Sequence, residues 1–155
     1  MIDHIFIGIT LTKETSGESD SVVSILTREF GKITALARSA QRVVSKLGPH
    51  LEPLRLIEGR LVEKKRSCIA DALTQISFRH IRSDPVVFAG ALRILAFVRE
   101  HAAELEQNDL LWETVSRSLR LLDQAVAAGA LPSAISREQI FSQIHDKLHR
   151  AFGYQ

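Results

Sequence analysis

The chain has 155 residues, 45% of them apolar and 25% charged, with a formal net charge of +2. That is too apolar for a disordered chain and enough to bury a core, either as one domain or as two small packed halves. The longest apolar run, Val86 to Val98, is broken by Arg93 and is too short to span a bilayer; Met1-Ile2-Asp3-His4 lacks the basic start and apolar middle of a secretory signal, so a cytoplasmic protein is expected.

Ile5, Ile7, Ile9 and Leu11 alternate with Phe6, Gly8, Thr10 and Thr12, the period of a strand with one face turned to a core. A polar turn, Ser16 to Asp20, leads into a second strand at Val22 to Thr27. Phe30-Gly31-Lys32 then reverses the chain into a third, Ile33 to Arg38. After a linker from Ser39 to Pro53, Leu54 to Glu63 and Cys68 to Phe78 complete five strands around the charged turn Lys64-Lys65-Arg66. Alternation in the fourth strand slips near Gly59, which predicts a bulge or a sharp bend. Five strands with a longer connection between the third and fourth match the oligonucleotide-binding (OB) barrel; a five-stranded SH3-like barrel fits the same periodicity. Cys68, the single cysteine, excludes an internal disulfide and a multi-thiolate metal site, and its neighbours Ile69 and Ala70 predict a small buried side chain.

Near Arg82-Ser83-Asp84-Pro85 the period changes from two to that of a helix. The expected fold class is therefore α+β with segregated halves, a barrel over residues 1–80 and a helical domain over 81–155. Asp84 is placed to cap a helix with Pro85 at its first position, and Phe88, Leu92, Leu95 and Ala96 form its apolar stripe to an end near Ala103. A second helix, Asn108 to Ala128, turns Leu111, Val115, Leu119, Leu122 and Val126 to the core and stops at Gly129. Ser136 and Gln139 have capping-box spacing for a third, whose stripe of Ile140, Phe141, Ile144, Leu148 and Phe152 ends at Gly153.

No nucleophile motif, Gly-rich phosphate loop or paired-carboxylate pattern occurs, so no catalytic residue, metal or cofactor is predicted. His145 and His149 stand four apart on the last helix without a third ligand and read as solvent-facing histidines; nothing in the sequence joins Asp20 to His50. Charge is the more informative signal. Arg28 to Arg66 holds ten Lys or Arg against four Glu, a balance of +6, whereas residues 81–155 balance to −1. Arg38, Arg42 and Lys46 recur every fourth residue and would project together from a helical turn in the linker. Lys32 begins the third strand, and Lys64, Lys65 and Arg66 occupy the kind of loop an OB barrel sets beside its nucleic-acid groove. Such cations neutralise phosphates without reading sequence; a merely solvated face is the competing reading. Phe6, Phe30 and Phe78 are the aromatics of this half and read as core, so any nucleic-acid contact is expected to be mainly electrostatic.

The stretch Gly8 to Pro53 resembles the N-terminal domain of the RecO family of bacterial recombination mediators. The likeness lies in Gly17-Glu18-Ser19-Asp20, Leu26-Thr27-Arg28-Glu29-Phe30-Gly31-Lys32, Ala37-Arg38 and Leu47-Gly48-Pro49-His50-Leu51-Glu52-Pro53, with Leu73-Thr74-Gln75 beyond and Leu148 to Tyr154 near the end. The resemblance implies an OB domain and a helical domain, a role in DNA repair and recombination beside the nucleoid, and no enzymatic step. It also implies binding of single- and double-stranded DNA, strand annealing, and a complex with RecR that helps load RecA where single-strand-binding protein sits, the tail of that protein being a further partner. Two departures stand out. Many members continue into a cysteine-rich zinc module, whereas no cysteine follows Cys68, so a short form is expected; and Val43 and Val44 stand where the family often carries Lys or Arg, which implies weaker DNA affinity. The rival reading is a protein-interaction adaptor whose barrel and helices bind RecR or an acidic protein tail, with DNA contact incidental.

Overall fold

The alternating segments of the first half pair into one sheet that closes on itself. In the computed structural model, which describes residues 2–153, β1 (Ile2–Ser16), β2 (Asp20–Thr27), β3 (Gly31–Ala37), β4 (Leu56–Glu63) and β5 (Ser67–Ile76) form a closed barrel in the order β1-β2-β3-β5-β4. The linker carries the chain across the barrel, so β4 returns beside β1 and β5 meets β3 in parallel, with Leu36 opposite Cys68. That crossing is the OB order and not the simple meander of the SH3-like alternative. β1 spans two neighbours: Ile2 to Ile9 pair with β4, and Gly8 to Ser16 pair with β2.

Both faces of β1 are used, which corrects the expectation of a single core face. Phe6 fills the barrel interior with Val23, Ile25, Ile33, Ile57, Leu61 and Ile69. Ile9 and Leu11 lie on the outside, where the helices cover them, and Ile5 on that same side stays 59% exposed. Phe6 and Phe78 are core residues as expected; Phe30 is half-buried with its ring edge-on to His4. Gly59 sits opposite Phe6, and a Cβ there would come within 2.4 Å of the ring. The glycine is thus required by a close aromatic approach. The predicted slip falls one step later, between Arg60 and Leu61, and the extra residue belongs to β5 at Ala70. Cys68 is half-buried, contrary to expectation, with its thiol 3.7 Å from the Arg66 carbonyl.

The second half folds as α1 (Arg79–Ser83), α2 (Pro85–His101), α3 (Asp109–Ala127) and α4 (Ala134–Ala151). Asp84 caps α2 by accepting from the Val86 and Val87 amides, as the sequence predicts, and Asn108, where the sequence places the start of the next helix, caps α3 through Leu111. The capping box of α4 lies one turn early, at Ser133 and Ser136, because Ser136 supplies the return hydrogen bond that a Glu or Gln more often gives. In α2 the buried face is Val87, Gly90, Ala91, Ile94, Leu95 and Val98, with Ala96 exposed. The helix is apolar nearly all round, so periodicity could not rank its faces. A core shared across the seam joins Ile9, Leu11, Leu26, Leu54 and Leu56 of the barrel to α1–α4.

The five-residue α1 was not foreseen. Phe78 adopts a left-handed φ of 51° and turns the chain out of β5; Asp123 of α3 then accepts from the His80 and Ile81 amides, satisfying the first turn of α1 from outside. Arg82 fastens the same corner by donating to the Pro53 and Leu54 carbonyls, both at 2.6 Å, and to Ser77 at 2.7 Å. Burial there, with Arg55 nearby, holds the Arg82 guanidinium below the usual arginine pKa. No described helix is long and apolar enough to cross a membrane.

Candidate nucleic-acid interface

The linker between β3 and β4 is built from tight turns and a short 3-10 helix, Gly48–Leu51, and not from the helical turn that would have aligned its cations. It is nonetheless firmly placed. The Ser39 amide donates to Asp20 (2.7 Å), the Gln41 amide to the Ser19 carbonyl (2.9 Å), and the Gln41 side chain to Ser21 (2.7 Å). Ala40 and Leu51 enter the barrel core. Lys13 bridges the Gly48 carbonyl (3.1 Å) and Glu52 (2.8 Å), while His50 Nδ1 accepts from the Thr74 amide on β5 (3.0 Å). Asp20 and His50 are therefore both braces of this loop, with no contact between them in these roles.

Within that frame Ser45 donates its amide to the Arg42 carbonyl (2.9 Å), closing a β-turn with Val43 and Val44 at its centre. Arg38, Arg42 and Lys46 come together around it. With Val44 and Leu47 on one side and Ala70, Asp71 and Ala72 of β5 on the other, they line an open groove of about 470 Å³. All three cations are exposed and none forms an ion pair with a described carboxylate. The acidic residue of the groove, Asp71, is countered from across the strand pair. Arg60 donates to Asp71 Oδ2 from two nitrogens (3.1 and 2.9 Å) and to Asp3 (2.8 Å), and these two carboxylates raise the Arg60 pKa further. Uncompensated charge in the groove is thus positive.

The remaining predicted cations lie elsewhere. Lys64, Lys65 and Arg66 are exposed on the β4–β5 turn but do not line the groove; Arg66 lies four positions before Ala70, about 13 Å of extended chain. Lys32 faces the helical half. Its ammonium donates to the Arg99 carbonyl (2.8 Å) and sits 4.0 Å from Glu104, with 14% of the side chain exposed. Sequence reasoning missed the β5 wall of the groove and the Arg60–Asp71 pair, which follow from register and from no local pattern. His145 and His149 surround Phe97, with ring centroids at 5.7 and 5.5 Å; among the described residues no group of three or more His, Cys, Asp or Glu could hold a metal ion.

Comparison with known proteins places the chain among relatives of one family. Residues 1–80 match the family described as Recombination protein O N terminal. The chain is 29% identical over 131 residues to the DNA repair protein RecO of Cutibacterium acnes, covering 80% of this chain and 52% of the relative. It is 32% identical to that of Bacillus subtilis (76% and 46%) and 30% identical to that of Myxococcus xanthus (93% and 59%). The chain therefore spans about half the length of the curated relatives it matches.

Proposed function

The chain belongs to the RecO family, and on that premise we propose that it is a DNA-binding mediator of recombinational repair. In this reading it holds single- and double-stranded DNA by the phosphates, anneals complementary strands, and acts with RecR to help load RecA where single-strand-binding protein sits. Residues 1–80 are the DNA-holding part and 81–155 the partner-facing part. The observation that carries the reading is the convergence of Arg38, Arg42 and Lys46, unpaired by any described carboxylate, on one groove. Three such cations favour a polyanion, because each phosphate they neutralise releases condensed counterions. Lys64, Lys65 and Arg66 extend the positive field along β5. No catalytic step is part of the mechanism.

A salt titration of binding to a fluorescent single-stranded oligonucleotide tests it, run beside a strand-annealing assay. With three phosphates engaged, log K should fall by about 2 per log unit of salt, from roughly 0.7 per phosphate on a single strand. Absent or salt-independent binding overturns the proposal.

A second reading, a protein adaptor, is favoured by a groove of about 310 Å³ between α2 and α4, with Val86, Gly90 and Phe141 as its apolar part and Arg93 and Arg137 as its cations. Arg137 Nε is buried there without a hydrogen-bond partner among the described residues. With Glu138 as its one carboxylate, such a groove suits an acidic protein tail or a surface of RecR. Equal recovery of RecR by the wild type and by R38A/R42A/K46A, with no DNA bound by either, would favour the adaptor.

A further inference from the structure

The two central positions of the Arg42–Ser45 turn are held by valines, and folding gives no reason for them. Gly, Pro, Asn, Asp and Ser dominate such positions because they adopt turn dihedrals readily or bond their own backbone, which a β-branched side chain does not. Neither valine packs on the protein: Val43 is 103% exposed and Val44 85%, whereas each of the other large exposed apolar residues, from Leu121 at 55% to Ile135 at 69%, is partly covered. The turn does not present them by drifting outward, since its two ends are anchored through Ser39, Ala40, Gln41 and Gly48. A Cβ on Gly48 would fall 2.2 Å from the Ala40 carbonyl, so the two ends of the loop are pressed together. The apolar apex is thus a fixed projection, flanked by Arg42 and Lys46, with Val44 itself on the groove wall.

We propose that Val43 and Val44 contact the exposed faces of unpaired bases while Arg38, Arg42 and Lys46 hold the adjoining phosphates, so that this groove prefers single strands to duplex. The inference rests on the phosphate-binding reading above and adds to it what touches the base. In a duplex the base faces are hidden in the stack and cations alone can engage it; in a single strand they are available to apolar side chains set beside a basic track. Charge complementarity selects nucleic acid as the occupant, because an apolar apex ringed by three cations suits a ligand that is itself alternately apolar and anionic.

The test compares V43S/V44S with the unaltered chain on a labelled oligo-dT and on a duplex of equal length, across a salt series. Serine favours turns, so the loop should keep its shape. Single-strand affinity should fall by about two- to fivefold, up to the low end of what a base–aromatic stack contributes, while duplex affinity and both salt slopes stay unchanged. The converse variant, V44F, should tighten single-strand binding alone. Equal losses on the two substrates, or no loss on oligo-dT with the salt slope intact, would overturn this inference and leave the phosphate groove standing. Salt-independent binding by the unaltered chain would remove both. Capture by vesicles containing anionic lipid that V43S/V44S abolishes, with oligonucleotide binding unaltered, would assign the valines to a membrane surface and likewise overturn it.

Discussion

Lys32 and Arg38 bracket the same strand, β3, and are put to opposite uses. At the seam end the Lys32 ammonium donates to a helix carbonyl and lies near Glu104, and Arg82 gives its donors to three backbone carbonyls. At the linker end Arg38, with Arg42 and Lys46, faces solvent around a groove whose one carboxylate, Asp71, is already engaged by Arg60. Residue type does not distinguish the two regions; donor satisfaction does. A cation whose hydrogen bonds are filled by the protein is a structural tie, and one left unfilled among others of its sign has a strong electrostatic preference for an anion from outside.

Four tests, using five substitutions, probe this contrast, beginning with the largest effect. Arg82→Met removes three charge-assisted hydrogen bonds and leaves their carbonyls unsatisfied, and should cost roughly 2 to 3 kcal/mol of stability in urea unfolding, with the salt dependence of DNA binding unchanged. Gly31→Ala comes next. Its φ of +71° disfavours alanine, and the new Cβ would lie 2.1 Å from the Glu106 carbonyl. A loss of about 1 to 2 kcal/mol is expected, with faster hydrogen exchange at the Leu105 amide, which donates to the Lys32 carbonyl.

The third test exchanges the two ends of β3. Lys32→Met should lower stability by about 1 kcal/mol and leave DNA binding alone, whereas Arg38→Met should keep stability within about 0.5 kcal/mol and reduce the salt slope by roughly 0.7. The opposite pattern would break the comparison. The smallest effect is that of Asp71→Asn: removing the groove's negative charge and loosening Arg60 should raise single-strand affinity about two- to threefold at low salt, and the gain should vanish near 1 M salt, where screening is nearly complete.

The sequence disclosed these regions unequally. Strand number and the cap of α2 were readable because they depend on neighbours: Ile5 to Leu11, the polar turns and Asp84-Pro85. The closure of β5 on β3 depends on partners more than thirty residues apart, and no local period records it. α1 escaped notice because its formation depends on the left-handed Phe78 and on an amide partner, Asp123, from α3. The groove was half visible. The spacing of Arg38, Arg42 and Lys46 picked out residues that do line one groove, but for a helical reason that does not apply, since successive turns and not a helix bring them together. Lys32 was indistinguishable from them until Arg99 and Glu104 were seen beside it.

The double pairing of β1 sets a timetable for folding. Its C-terminal half finds β2 within a few residues, but Ile2 to Ile9 must wait for Leu56 to Glu63. On a ribosome adding about 5 to 20 residues per second, that edge stays open for some 3 to 12 seconds. The nascent hairpins therefore carry an unpaired border through early synthesis, and the last act of barrel assembly, docking of β5 against β3, is also the one that builds the second wall of the cationic groove.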